Sequence, residues 1–358
     1  MKNNSNHLDH RILREELLYF TRNFDACGSK FAGTGKGMVI NMDIIQLKKE
    51  CENAKKIVIT GHTRPDGDCV GSCMASYLYL KKVLPDADVK VCIEQPADIF
   101  SCIKDFDKID STFHDMDEID ILLIIDCEIS RVGEAEKYFK VAKKCINIDH
   151  HISNEKGCGD VNYIVTNASS ASELVYDVIE KEQIDIEIAK AIYIGMVHDT
   201  GIFQYSNTSP KTLRIAADLI AFGFDFPSII DETFYEKTYV QNQIMGRALL
   251  ESILFMDGRC IVSSLDKKTM DFYGVTPKDL DGIVNQLRII KGVECAIFMY
   301  EIGTQEYKVS MRSCKYVDVS KVASYFGGGG HVRAAGCTMN GTFYDVINNI
   351  SARIELQI

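Results

Sequence analysis

From residue 56 to about 225, short apolar runs alternate with stretches of helical period. The runs at 56–60, 89–93, 120–125 and 145–149, with a further one at 161–165, read as strands. Helical spacing marks 71–83, 170–182, 186–198 and 209–222. In the first of these, Cys73, Met74, Tyr77, Leu78 and Leu80 make one core-facing stripe. Ser209 and Pro210 suit the cap and first position of the last helix, and Gly223 is placed to end it. Strands alternating with such helices predict an α/β unit with a mostly parallel sheet covered on both faces.

The pattern changes after residue 226. Residues 227–250 read as a charged helical connector. Beyond it, 260–262, 294–300 and 307–312 read as strands, with Gly303-Thr304-Gln305-Glu306 as a hairpin turn between the last two. Helices are expected near 277–290, 318–326 and 342–354. The prediction is a smaller, mixed α/β domain with antiparallel pairing. Residues 1–41 carry polar and basic residues and scattered glycines without periodicity, and are expected to be a poorly ordered extension. Their segment 33–37 lacks the GxxxxGK[ST] spacing and the preceding strand of a phosphate loop.

A length of 358 residues fits two domains. No apolar run reaches the roughly 18 residues of a membrane span, and no signal-peptide core opens the chain. Thirteen scattered cysteines without a CxxC pair read as buried thiols in a reducing compartment, so the expected location is cytoplasmic, with no membrane partner. The net charge of −11 disfavours tracking along long nucleic acid, which needs basic stripes. A small phosphorylated substrate remains compatible, because bound divalent cations reverse the local field.

The candidate chemistry sits where apolar runs end. His62, Asp66 and Asp68 follow the first strand on a tight loop ahead of a helix. Asp126 ends five apolar residues, a costly place for a carboxylate unless it is paired or coordinated. Asp149, His150 and His151 end the next run, and Asp199 closes an apolar helix. In an open α/β sheet that edge binds ligands, and gathered imidazoles and carboxylates suit a pair of divalent metals. His150 is expected to ligate, Asp149 to orient a histidine, and His151 to face substrate. His198 reads as structural. In the second domain, Gly327–Gly330 with His331 reads as an anion-binding nest, or alternatively as a hinge. Period-2 alternation places Ser310 and Arg312 on one strand face, and Arg suits bidentate phosphate binding.

Together GHTRPDGDCVGS (61–72), Asp126, DHH (149–151), HDTG (198–201) and GGGGHVRAAG (327–336) resemble the DHH phosphoesterase superfamily with a C-terminal DHHA1 domain, over about 43–358. Within it, the compact chain is similar to the NrnA-like branch. The resemblance implies a catalytic DHH domain at 42–226, the connector at 227–250 and a substrate-binding DHHA1 domain at 251–358, with the active site in the cleft between. It implies manganese-dependent hydrolysis of short RNA or DNA oligonucleotides and of 3′-phosphoadenosine 5′-phosphate to mononucleotides. One Mn2+ is expected on His62, Asp66 and Asp126, and the other on Asp68, Asp126, His150 and Asp199, with Mg2+ or Co2+ as substitutes. His151 and Asp126 are the expected catalytic residues. Ser310, Arg312, Gly328, Gly329, Gly330 and His331 are the expected substrate-binding ones. A homodimer is compatible with the resemblance. The competing readings are a cyclic di-AMP phosphodiesterase, a RecJ-like single-strand exonuclease, a manganese-dependent pyrophosphatase and a non-catalytic nucleotide sensor.

Overall fold

The structure, a computed structural model, describes residues 44–358. The expected extension at 1–41, with its segment 33–37, lies outside the described residues. The described chain divides into two compact units, 44–96 with 107–222, and 97–106 with 223–358.

The first unit is built on five parallel strands: β1 Lys56–Thr60, β2 Asp88–Val91, β3 Ile119–Ile125, β4 Ala142–Asp149 and β5 Val161–Ile164, in the order β2-β1-β3-β4-β5. The central runs are apolar because both faces are covered; Ile57, Val58 and Ile59 of β1 and Ile121 to Ile125 of β3 are all buried. Because every strand runs the same way, the ends of β1, β3 and β4 share one edge. They deliver His62, Asp126 and Asp149 to it.

Two helices close over that edge. The first, Gly67–Val83, starts four residues earlier than the apolar stripe suggests. Asp66 is its cap, accepting from the Asp68 and Cys69 N–H groups at 3.1 Å each. Asp68 is therefore in the first helical turn, not in a loop. The second, Ile186–Asp199, crosses it at two glycines. A Cβ on Gly71 would lie 2.6 Å from the Ala191 carbonyl oxygen, and one on Gly195 would lie 2.8 Å from Asp68 Oδ1. Only bare backbone lets the two helices approach this closely, and the approach sets Asp68 and Asp199 on the same side.

The second unit holds a six-stranded mixed sheet: β6 Ile253–Phe255, β7 Cys260–Leu265, β8 Cys295–Gly303, β9 Glu306–Ser313, β10 Gly329–His331 and β11 Ala334–Asn340. Their order is β10-β11-β9-β8-β7-β6. The expected antiparallel pairing needs one correction: β7 and β8 are parallel, joined through the helices between them. One face packs on the helices Val319–Tyr325 and Phe343–Glu355, through Val322, Val346 and Ile350. The other packs on Tyr239–Leu250 and Ile283–Arg288. Residues 227–250 are thus more than a connector, since Ile244 and Ala248 are buried in this core. Among the described residues, no helix is long and apolar enough to cross a membrane.

Candidate active site

Asp126 is the centre of the site. It sits just past β3 with a left-handed φ of 64°, a conformation that Asp tolerates better than most residues. Its side chain is almost fully buried, and its two oxygens face different histidines. Oδ2 lies 3.4 Å from His62 Nε2, and Oδ1 lies 3.3 Å from His150 Nε2. Oδ1 has no partner in hydrogen-bond geometry, His150 Nε2 standing beside it without the alignment of a hydrogen bond. A buried carboxylate oxygen without a donor is costly and calls for a cation.

The histidines are pre-oriented. His62 Nδ1 is 2.9 Å from the Thr63 carbonyl oxygen, which can only accept, so Nδ1 carries the proton and Nε2 is left facing the carboxylates. His151 Nδ1 is 2.8 Å from Asp149 Oδ1, and the His150 and His151 N–H groups donate to the same oxygen. The structure thus places Asp149 behind His151. His150 Nε2 also lies 3.9 Å from Asp68 and 3.8 Å from Asp199.

Asp68 is fixed by the next helix, Ala171–Val178. Its two oxygens accept from the Ala171 and Ser172 N–H groups at 2.6 and 2.9 Å. Asn207 Nδ2 donates to the Asp199 backbone and side-chain oxygens. His198 packs against the bare backbone of Gly67, where a Cβ would lie 2.2 Å from its ring.

The protonation pattern reports crowded negative charge. Burial, with Asp126 and Asp199 nearby, pushes the Asp68 carboxyl well up. Burial also lifts Asp199 to about 6, with Asp126 adding to the shift against the opposing pull of His150. Burial disfavours a charged His150 ring, yet Asp126 and the other carboxylates raise it to about 10. His62 behaves alike, its burial outweighed by Asp126 and Asp66, which hold it at about 12. Asp66 goes the other way: desolvation pushes it up, but His62 and the helix N–H groups bring it down to about 2.

This donor set fits divalent cations. Three groups of ligand atoms converge, each within 4.8 Å: His62, Cys69 and Asp126; Asp126, His150 and His151; and Asp68, His150 and Asp199. Asp126 belongs to two of them. Asp66 stands apart from these groups, with an exposed side chain 3.6 Å from His62. The sequence pattern does not single out Cys69, nor the amides of Asn147, Asn154 and Asn207, which hydrogen-bond to the segments that carry the site. A cysteine inside an apolar helix reads as core. Asn147 carried a signal, as an amide between Ile146 and Ile148 in the middle of a buried strand.

In the second unit, Ser310 and Arg312 share a face of β9, opposite the buried Val309 and Met311. Arg312 pairs in register with Ala334, which pairs with His331, and Ser310 pairs with Gly336, which pairs with Gly329. Arg312 with His331 and Ser310 with Gly329 thus mark two cross-strand rows; Gly330 falls in the row between them, in register with Ala335 and Met311, and Gly328 precedes the strand. Arg312 Nε donates to Asn285 Oδ1 at 3.2 Å. The glycine run is an edge strand with a local reason for its glycines: a Cβ on Gly328 would lie 2.2 Å from the Gly336 carbonyl oxygen, and one on Gly330 2.5 Å from that of Ala334.

Residues 56–196 match the model of the DHH family, N-terminal domain, and residues 257–358 that of the DHHA1 domain. The chain is 28% identical to the bifunctional oligoribonuclease and PAP phosphatase NrnA of Thermus thermophilus, over 81% of this chain and 86% of that one. It is 26% identical to the protein of the same name from Bacillus subtilis, over 84% and 93%. Among solved structures, it is similar to an exopolyphosphatase-related protein from Bacteroides fragilis, with a TM-score of 0.78 and 27% identity, over 86% of this chain and 94% of that one.

Proposed function

Because the chain belongs to the DHH family of phosphoester hydrolases, with a C-terminal DHHA1 domain, we propose that it hydrolyses short oligonucleotides, pApA among them, and 3′-phosphoadenosine 5′-phosphate to mononucleotides, with Mn2+ as cofactor. The observation that carries this reading is Asp126, a buried carboxylate turned toward a histidine on each side with one oxygen unsatisfied. The names of the relatives, which match along most of their length, support the substrate class.

His62, Asp66 and Asp126 would hold one ion, and Asp68, Asp126, His150 and Asp199 the other. When bound, the ions supply Lewis-acid stabilisation of phosphoryl oxygens and a more acidic water. The mixture of imidazole and carboxylate donors favours Mn2+ over Mg2+. Asp149 fixes the His151 ring through Nδ1, which orients Nε2 to accept a proton on the substrate side and, once protonated, to donate a hydrogen bond to the scissile phosphate. In the DHHA1 domain, Arg312, Ser310, Gly328 to Gly330 and His331 bind a substrate phosphate, and the grip on that group favours short substrates. All the cysteines among the described residues are free thiols, which suits a cytoplasmic location.

The test is product analysis with Mn2+ on an RNA dinucleotide, a long oligomer, pAp, pApA and cyclic di-AMP. Mononucleotide release from the dinucleotide and pAp supports the reading. Preference for the long oligomer or for cyclic di-AMP replaces the substrate class. Nucleotide binding without turnover of any of them overturns the assignment.

A further inference from the structure

Two buried asparagines join the Asp126 turn to the loop that carries the histidine pair. Asn147, fully buried in β4, donates through Nδ2 to the Ile124 carbonyl oxygen at 3.1 Å and to that of Cys127 at 3.0 Å. Those carbonyls flank Asp126. The Asn147 Oδ1 accepts from Asn154 Nδ2 at 2.9 Å and from the Cys158 N–H at 3.1 Å. All four hydrogen-bonding positions of this amide are used, and its orientation is fixed because a carbonyl can only accept. Asn154 spends its second N–H on Asp149 Oδ2 at 2.7 Å. The other Asp149 oxygen holds the His151 ring and the His150 and His151 N–H groups.

The chain of contacts runs from the backbone around Asp126, through Asn147 and Asn154, to Asp149 and His151. Asp126 needs such support, because its left-handed backbone and unsatisfied oxygen are both unfavourable on their own. Asp149 needs it too: with Asn154 attached, the carboxylate has donors on both oxygens and cannot rotate away from His151.

We propose that Asn147 and Asn154 are positioning residues, a linked amide pair that locks the Asp126 turn and the Asp149–His151 pair into one rigid unit. The proposal rests on the function stated above for its effect on turnover, and on the structure alone for its effect on rigidity. Neither asparagine touches the reacting atoms.

The experiment compares Asn154→Asp, Asn154→Ser and Asn162→Ala with the wild type. Asp keeps the shape of Asn but has no donor, and Ser keeps one donor. Asn162 is a nearby amide bonded only to the Gly159 backbone, so it controls for general loss of structure. On a dinucleotide with saturating Mn2+, Asn154→Asp is expected to lower kcat by roughly 10- to 100-fold, the usual cost of losing a partner behind a ligand. KM stays within about threefold. Asn154→Ser should fall between, and serves if the Asp variant does not fold. In the metal-free protein, hydrogen exchange at the His150 and His151 amides should speed up in both Asn154 variants and not in Asn162→Ala. Asn147→Ser, read in the same way, should speed exchange at the Asp126 amide. Wild-type kcat and unchanged exchange in folded Asn154 variants would overturn the proposal, as would losses no greater than those of Asn162→Ala. An inactive wild type would sink the functional reading instead, and the exchange data would still decide the brace.

Discussion

A buried carboxylate meets a loop in each unit, Glu294 in the second and Asp126 in the first, and the two are satisfied in opposite ways. Glu294, 4% exposed in the second unit, accepts four hydrogen bonds from three consecutive N–H groups, those of Lys315, Tyr316 and Val317, at 2.7 to 3.1 Å. Asp126, 2% exposed in the first, has one oxygen with no donor and two histidines facing it. A carboxylate wrapped by backbone N–H groups has its charge compensated by the fold and serves the fold. One left incomplete by the fold is held ready for something the chain itself does not supply.

The sharpest break in that contrast is a pair of substitutions with opposite readouts. Asp126→Asn keeps a residue that tolerates the left-handed backbone, so the thermal midpoint should hardly move. Turnover should fall by roughly 1,000-fold or more, as when a residue of a concerted catalytic unit is removed. Glu294→Ala should reverse this. Three N–H groups lose their partner, at a cost of about 3 kcal/mol seen in chemical denaturation, while kcat of the folded fraction is retained. Equal stability losses in both variants would erase the distinction.

The glycine strand can be divided in the same way. Gly328→Ala drives a Cβ into the Gly336 carbonyl, and should cost about 1–3 kcal/mol by overpacking. Gly329 has open space around its added Cβ. Gly329→Ala should therefore leave the thermal midpoint alone and raise KM several-fold if this strand contacts substrate. An unchanged KM would leave these glycines with a structural role only.

Another buried carboxylate, Glu173, sets the scale for pH. Burial pushes Glu173 up, but Ser169, Thr212 and Lys211 outweigh it and hold it below the ordinary glutamate value. A depressed folded value means this group stabilises the protein above the unfolded value of about 4.3, and that the contribution is lost as pH falls through the folded value. Glu173→Gln should remove about 1–2 kcal/mol at pH 7. The gap from the wild type should close as the pH drops below about 4. A gap that persists in acid would show that the loss comes from packing and not from charge.

How much of this was legible in the sequence follows from how each part is buried. The strands of the first unit were readable because a parallel sheet covered on both faces leaves unbroken apolar runs, such as Ile121 to Ile125. The ligand candidates were readable because a carboxylate at the end of such a run is out of place. The strands β10 and β11 were not readable: glycines and alanines between Gly327 and Gly336 carry no alternation, and their pairing depends on close backbone approach. Asp68 reads as a loop residue because the cap at Asp66 hides among turn residues. Cys69 near His62, and the amides that brace the site, depend on contacts across strands and loops that periodicity does not encode.

The central claim is that Asp126 is left incomplete for divalent cations, and calorimetric titration of Mn2+ into the metal-free protein tests it most directly. The account predicts that the wild type binds two ions per chain, and that Asp126→Asn loses at least about tenfold in affinity with its fold intact. The same stoichiometry and affinity in both proteins would contradict it.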